Sequence, residues 1–324
     1  MMRFLVGAMF CSASLVLWAQ KPAQPLAVGN EKPLPDIVAM MQKVISDERE
    51  SETMQSDYLV REWLSSWDGS GQTWSHGSSW RSTDGEDRES EVFWLQGVRV
   101  SRLVRVATTR GLSHTYDHTL TSDELGQENS RIDAELAQVT KARVLGDIDG
   151  ERKAGGALDE IRMSRLLELG TFSNPRWGKE DSKGRGRIVV DYKGGPCSGA
   201  CTPLDGAARY ITGTLTIDEE DLAVAEFEGV FTDAWTEPGK GGWKVLKGST
   251  LTYWGGRQKN GTWFPLLRSI TTTVRHGSSY RTHAVSLFDR DYRKFRVTST
   301  ILPEITFLPQ DAVHEAPPRI PMSR

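Results

Sequence analysis

A long succession of segments with a two-residue period is the feature that most constrains the fold of this chain. The clearest is residues 211–217, in which Ile211, Leu215 and Ile217 alternate with threonines. This alternation places one side of a strand on a core and the other side in water. About ten such segments are predicted to be strands: residues 58–64, 88–96, 98–108, 185–193, 208–217, 222–233, 243–254, 262–275, 279–289 and 293–301.

Two stretches follow a helical period instead. In the first, Ile37, Met40, Met41, Val44 and Ile45 fall on one side of a helix. The second, residues 121–169, opens with the helix-capping sequence of residues 121–124 and ends before Gly170.

Many consecutive antiparallel strands curl rather than stay flat. We therefore predict a mainly β protein with helices (α+β). Its core is a curved antiparallel sheet or incomplete β-barrel, with helices packed on its concave side.

The amino terminus has the pattern of a secretory signal. Arg3 precedes an apolar run over residues 4–18, and Ala19 offers a small residue for cleavage. The run is shorter than the ~20 residues of a membrane span, although an uncleaved anchor is the alternative. The predicted organisation is a signal peptide at 1–19, a flexible lead-in at 20–33, one domain at 34–308 with a helical insert at about 121–169, and a loose tail at 309–324. The protein is then periplasmic or secreted.

Charge and motif content exclude several classes of function. The formal net charge is -3, and removing Arg3 with the signal makes it -4. A nucleic-acid partner usually needs a basic face, so none is predicted. The sequence contains no nucleophile elbow, phosphate-binding loop or dinucleotide-binding glycine pattern. We expect no enzyme activity and no cofactor, and the oligomeric state is left open.

Two cysteines, Cys197 and Cys201, remain after the predicted cleavage. An even number of cysteines in an exported chain favours a disulfide, and the small residues between them allow the loop to turn back. A redox-active pair is the alternative, although such pairs more often have two intervening residues at a helix start.

His114 and His118 are the best candidates for metal ligands, because histidines four residues apart would share one face of a helix. Asp117 could add a carboxylate. The segment follows a loop sequence at residues 110–113, however, and no further His or Cys cluster accompanies it. We predict no metal site and keep a metal-dependent enzyme as the least favoured hypothesis.

The order of several short motifs resembles a known group of proteins. These are exported proteins of unknown function, common in acidobacteria, that look like the outer-membrane lipoprotein carrier. The motifs are the helix at 34–54, Tyr58–Glu62, Arg110–Ser113, Gly184–Val190, Gly213–Asp218, Gly229–Phe231, Trp263–Pro265 and Phe288–Phe295.

The resemblance implies a nearly closed half-barrel with helices in its mouth and an apolar hollow that takes acyl chains. No catalytic residues come with it. Candidate wall residues for the hollow are Trp63, Trp94, Phe227 and Phe231, with ordinary core packing as the alternative for each. The longer chain, the helical insert and the cysteine loop depart from the carrier pattern.

Two hypotheses for function stand close together. The first is a non-catalytic envelope protein that binds a lipid, an acyl chain or a lipidated partner in the hollow. The second is a structural or interaction protein of the envelope, with a protein partner, whose hollow is filled by its own side chains. The second predicts that the filling residues are Met40, Met41, Ile45, Leu166 and Leu169.

Overall fold

The computed structural model describes residues 32–74, 77–95, 98–110, 113–145, 162–198, 201, 203–236, 244–276, 279–297 and 305–307. The signal segment at 1–19, most of the lead-in at 20–33, the centre of the helical insert and the tail at 309–324 lie outside these residues. The predictions for those segments stay predictions.

The helices within the described residues are α1 (Ile37–Met54), α2 (Ser122–Leu145), α3 (Met163–Glu168) and α4 (Pro203–Ala208). A 3-10 turn at Gln55–Asp57 joins α1 to the first strand. The strands are β1 (Tyr58–Trp74), β2 (Gly77–Leu95), β3 (Val98–Arg110), β4 (Ser113–Thr119), β5 (Gly170–Trp177), β6 (Arg187–Gly194), β7 (Ile211–Asp218), β8 (Val224–Phe231), β9 (Trp235–Thr236), β10 (Lys244–Val245), β11 (Thr250–Arg257), β12 (Trp263–His276), β13 (Ser279–Val297) and β14 (Ile305–Phe307).

One large antiparallel sheet dominates the molecule. Its strand order is β4-β3-β2-β1-β13-β12-β11-β8-β7-β6-β5, and β14 pairs with the end of β13. Strands β9 and β10 form a separate two-stranded sheet. The two ends of the large sheet, β4 and β5, do not pair with each other, so the sheet is open. The predicted fold class, mainly β with helices around an incomplete barrel-like sheet, is confirmed.

The sheet stays open because of the elements that lie between β4 and β5 in the sequence. Strands β4 and β5 are consecutive in sequence, and a hairpin between them would close the sheet. The chain instead runs through α2 and α3 between these two strands. The helical insert therefore occupies the part of the sequence where a closing turn would lie.

The large sheet has two faces, which we call face A and face B. Directly paired residues share a face. On face A, Val60 of β1 pairs with Val92 of β2, and Glu62 pairs with Ser90. On face B, Arg61 pairs with Glu91 and Trp63 with Glu89. The alternation predicted from Tyr58 to Leu64 is thus confirmed.

Three helices, α1, α3 and α4, cover face A. Met40, Met41 and Val44 of α1 are buried against the sheet, and Ile37 and Ile45 are partly buried, as the helical stripe predicts. Leu166 and Leu167 of α3 join the same core, with Leu169 packed at its margin. The sheet residues beneath them are Ile188, Val190, Tyr192, Ile211, Leu215, Ile217, Val224, Phe227, Phe231, Leu251 and Tyr253.

The long helix α2 packs on face B instead. Its Ile132 is buried together with Leu59, Phe93 and Val100 of the first three strands. The predicted capping sequence at its start is confirmed, because the amide N–H of Thr121 donates to the Glu124 carboxylate at 2.7 Å. The helices therefore flank the sheet on both sides, and the prediction that the helices pack on one, concave side is wrong for α2.

Several elements differ from the sequence prediction. Residues 113–119 form β4 rather than a loop, and β5 carries too little apolar alternation to be recognised. The segment at 203–208 is helical before β7 begins. The runs at 279–289 and 293–301 belong to one strand, β13, which extends to Val297 within the described residues. A left-handed residue, Asp291, interrupts its period (φ 53°), which explains why it appears as two runs.

A buried aspartate joins the ends of several strands. Asp218, at the end of β7, is fully buried and accepts a hydrogen bond from Arg185 at 2.8 Å and another from Arg187. Burial opposes its ionisation, but the bonds from Arg185 and from the Asp221 amide lower the pKa of Asp218 overall. The neighbouring Asp221 accepts from the Trp263 indole at 2.9 Å. This turn therefore ties β7 to the start of β12.

We predict that Phe227→Ala lowers the free energy of unfolding by about 3–5 kcal/mol, because it leaves a cavity in the core on face A. Urea unfolding measures the change. Val230→Ala on the same strand is the matched control, since Val230 is 43% exposed and its loss should cost about 0.5 kcal/mol or less. Equal losses for the two variants would contradict the assigned core.

Candidate functional site

Four charged side chains meet on face A beside the apolar core. Arg268 of β12 donates to Asp289 of β13 at 2.6 Å and lies 3.4 Å from Glu62 of β1. Arg99 of β3 reaches the same Glu62 carboxylate at 2.5 Å. Arg268, Glu62 and Asp289 are buried, whereas Arg99 is about a quarter exposed. We call these four residues the charged cluster.

Buried tyrosines border the charged cluster. The Tyr292 hydroxyl donates to the backbone oxygen of Pro265 at 2.7 Å. Burial, together with the negative charge of Asp289, raises the pKa of Tyr292 well above its ordinary value. Burial likewise raises the pKa of Tyr253, which also lies in the core on face A. Both hydroxyls therefore stay protonated at neutral pH, and that of Tyr292 serves as a hydrogen-bond donor.

A narrow cleft opens onto the charged cluster. Its volume is about 10 Å³, close to the room that one water needs. An acyl chain needs far more space. The lining residues are Gln55, Val60, Glu62, Val92, Trp94, Arg99, Arg268, Asp289 and Tyr292. As it stands, the cleft has no room for the apolar ligand expected from the resemblance.

The structure separates the four residues predicted to line a ligand hollow. Phe227 and Phe231 lie fully buried in the core beneath the helices of face A. Trp94 lies at the cleft and packs partly against Val60 and Val92. Trp63 lies on face B, the opposite side of the sheet. A ligand role for these residues stays a prediction.

An aromatic row crosses face B. Trp254 of β11 pairs with Leu267 of β12, and Leu267 pairs with Phe288 of β13. Phe288 in turn pairs with Trp63 of β1. Trp254, Phe288 and Trp63 are partly exposed, and Leu267 is buried between them. We call these four residues the aromatic row. It follows from the pleat, because directly paired residues on four neighbouring strands place their side chains on one face.

Arginines stack on one end of the aromatic row. The guanidinium of Arg105 lies 5.2 Å from the Trp63 ring centre and that of Arg290 lies 5.4 Å from it. Arg105 also pairs with Asp117 at 2.5 Å, and Arg290 pairs with Glu89 at 3.6 Å. These are cation–π contacts in which each cation keeps an acidic partner.

Acidic neighbours also balance the other arginines of this region. Arg61 lies between Glu89 and Glu91, and Arg102 pairs with Glu91. Arg102 and Arg105 of β3 are therefore both paired with acids on face B, whereas Arg99 of the same strand lies on face A in the charged cluster. The Arg110 side chain lies outside the described side chains.

The predicted disulfide between Cys197 and Cys201 is present. The Arg165 guanidinium of α3 lies 3.4 Å from the Cys197 sulfur and pairs with Glu168. The bridge closes a short loop after β6, close to the helices of face A.

His118 lies on strand β4 and contacts Glu124 at 2.8 Å. Glu124 is held by the Thr121 backbone, the Thr121 hydroxyl and His118, which together lower the pKa of Glu124 to about 2. His118 thus borders the cap of α2. His114 is also on β4, but its side chain lies outside those described. Within the described part of the chain, no group of three or more His, Cys, Asp or Glu side chains is arranged to hold a metal ion.

No family model matches the sequence, and no curated protein matches it. Structural similarity is found to a lipovitellin structure concerned with lipid–protein interactions, at 9% identity and a TM-score of 0.31. That alignment covers 78% of this chain and 27% of the lipovitellin chain.

Two other similar structures cover nearly all of their own chains. A DUF1329 family protein from Desulfovibrio piger is 10% identical with a TM-score of 0.25, over 78% of this chain and 93% of that one. MucB in complex with periplasmic MucA is 7% identical with a TM-score of 0.19, over 78% and 94%. These scores assign the chain to no family, so the resemblance to lipoprotein carriers stays a prediction.

The hydropathy of the helices bears on membrane association. None of the helices in the described ranges combines the length and the apolar character needed to cross a bilayer.

We predict that Arg268→Met lowers the free energy of unfolding by about 3–5 kcal/mol, because it leaves Glu62 and Asp289 buried beside each other without the arginine between them. Thermal or urea unfolding measures the loss. Arg61→Met is the matched control. Arg61 also contacts two acids but is 39% exposed, so its loss should cost about 1 kcal/mol or less. A tolerated Arg268→Met would show that the cluster adds little to stability.

Proposed function

We propose that this is a non-catalytic protein of the cell envelope that acts by binding a protein partner, with its apolar interior occupied by its own helices. The observation that carries the proposal is the packing of face A. Met40, Met41 and Leu166 are buried in its core, and Ile45 and Leu169 close its margin. The cleft beside this core has room for about one water.

Export is part of the proposal. The signal pattern at residues 1–19 directs the chain out of the cytoplasm, to the periplasm or beyond. The disulfide between Cys197 and Cys201 fits an oxidising compartment. These two features are independent, since one lies in the leader and the other in the folded part.

The aromatic row on face B is the proposed contact surface. Tryptophan, phenylalanine and arginine are enriched where proteins bind one another. The aromatic rings bury much area with few rotatable bonds, and the guanidinium group adds charge and hydrogen-bond donors. Trp63, with Arg105 and Arg290 over its ring, supplies this combination on a sheet face that is rigid by pairing on both sides.

Lipid binding is the second candidate function. It is favoured by the side chains that fill face A, because Met40, Met41 and Met163 are flexible and adapt to changing surroundings. Displacing α1 would uncover a continuous apolar floor that includes Phe227 and Phe231. An acyl chain could then take the place of the helix, as the resemblance to lipoprotein carriers implies.

Native mass spectrometry of the mature protein, purified without detergent, separates the two candidates. We expect the bare polypeptide mass, unchanged after incubation with phospholipid vesicles, because face A is already filled. Organic extraction of the same sample provides an independent check. Extra mass that extracts as lipid would contradict the self-filled interior and support the lipid carrier.

A further inference from the structure

Helix α1 carries an acidic side chain on the side that faces the sheet. Met41, Val44, Glu48 and Ser51 are buried along this side, at helical spacing. Glu48 is only 5% exposed, like the methionine and valine before it. An unpaired carboxylate at such a position is unfavourable, because burial penalises the charged form. A carboxyl buried at Glu48 therefore needs a hydrogen-bond partner inside the protein.

The Glu48 carboxyl accepts a hydrogen bond from the Val224 amide at 3.1 Å. Val224 begins β8, but the ladder between β8 and β11 runs only from Val230 to Glu226. Beyond it, Gly255 of β11 approaches the Val224 oxygen closely, since an added Cβ would lie 2.1 Å from it, and β11 shifts its register against β12 at the same residue. Glu48 thus supplies the acceptor that the neighbouring strand no longer offers.

Among the residues that the structure describes, the groups that face Glu48 give it no compensating cation. Asp47 and Glu52 on α1 disfavour its charge, and the Tyr253 hydroxyl of β11 is neutral. Arg268 of β12 and Asp289 of β13 lie beyond Tyr253 and pair with each other. Within the described ranges, the hydrogen-bond partner of the Glu48 carboxyl is the Val224 amide.

We propose that Glu48 makes the docking of α1 on face A depend on pH. With a neutral Glu48 carboxyl, α1 stays packed over the core. Ionisation places an uncompensated charge between α1 and the sheet and favours release of the helix, which uncovers the apolar floor of face A.

The direction and range of the effect follow from the titration of this group. Burial raises the pKa of Glu48 from an ordinary 4.5 to about 8. Docking is therefore strongest below about pH 4.5. It weakens by about tenfold per pH unit as the pH rises toward 8, and then levels off, because the released helix loses its proton first.

Hydrogen exchange of the full chain between pH 5 and 9 tests the proposal. The protection of α1 amides, corrected for the intrinsic exchange rate at each pH, should fall by about 400-fold between pH 5 and 8. In Glu48→Gln, which keeps an acceptor for the Val224 amide without a charge, protection should not depend on pH. Glu48→Met tests the same point if the Gln variant does not fold.

Two comparisons make the experiment specific. Glu50→Gln removes an exposed carboxyl from the same helix and should keep the wild-type fall. Amides of β7 should stay protected while those of α1 lose protection. A flat wild-type profile, an equal fall in Glu48→Gln, or a parallel loss in β7 would each overturn the proposal. The inference does not rest on the proposed function, because it concerns only the attachment of α1 and needs no partner.

Discussion

The burial of face A beneath α1, α3 and α4 is the interaction on which the rest of the structure depends. An open sheet with one apolar face is stable only when that face is covered, since exposed apolar surface costs about 25 cal/mol per Å². Here the covering comes from the chain itself. Met40, Met41 and Val44 from one helix meet Phe227 and Phe231 from the sheet.

Polar groups inside this covered region determine how firmly the helices are held. Glu48 and Ser51 on α1 satisfy backbone groups of Val224 and Trp263, where the strands leave their regular register. The charged cluster lies beside the same core and joins β1, β12, β13 and β3. Because these polar groups are buried, their hydrogen bonds and ion pairs strongly favour the packed position of the helices. For the same reason, a change in the charge of one group has a large effect on stability.

The sequence predicted those parts of the fold that depend on local pattern. The stripe of α1, the alternation in β1 and β7, and the cap of α2 at Thr121 and Glu124 are all confirmed, because each is determined by neighbours in the chain. The predicted disulfide is also present.

Features set by tertiary pairing were not predictable in this way. The placement of Trp63 and Phe227 on opposite faces depends on bulges and strand order, which change the side that a residue faces. The edge strand β5 shows no continuous alternation because its exposed and covered sides exchange after Ser173, where its register against β6 shifts. Glu48 gives no sequence signal, since an acid on an amphipathic helix is normally assigned to the solvent side.

The pairing of β1 with β13 affects how the chain folds while it is being synthesised. These central strands pair residues 58–72 with residues 279–294, so the first and last long strands meet in the middle of the sheet. Neighbouring hairpins on either side can form as they emerge, but the pairing of β1 with β13 has to wait until all the strands between them have been made. Contacts between such distant residues slow folding. A nascent chain therefore remains without its central pairing until β13 has been made, and a truncation that removes β13 would leave two half-sheets rather than a smaller version of the protein.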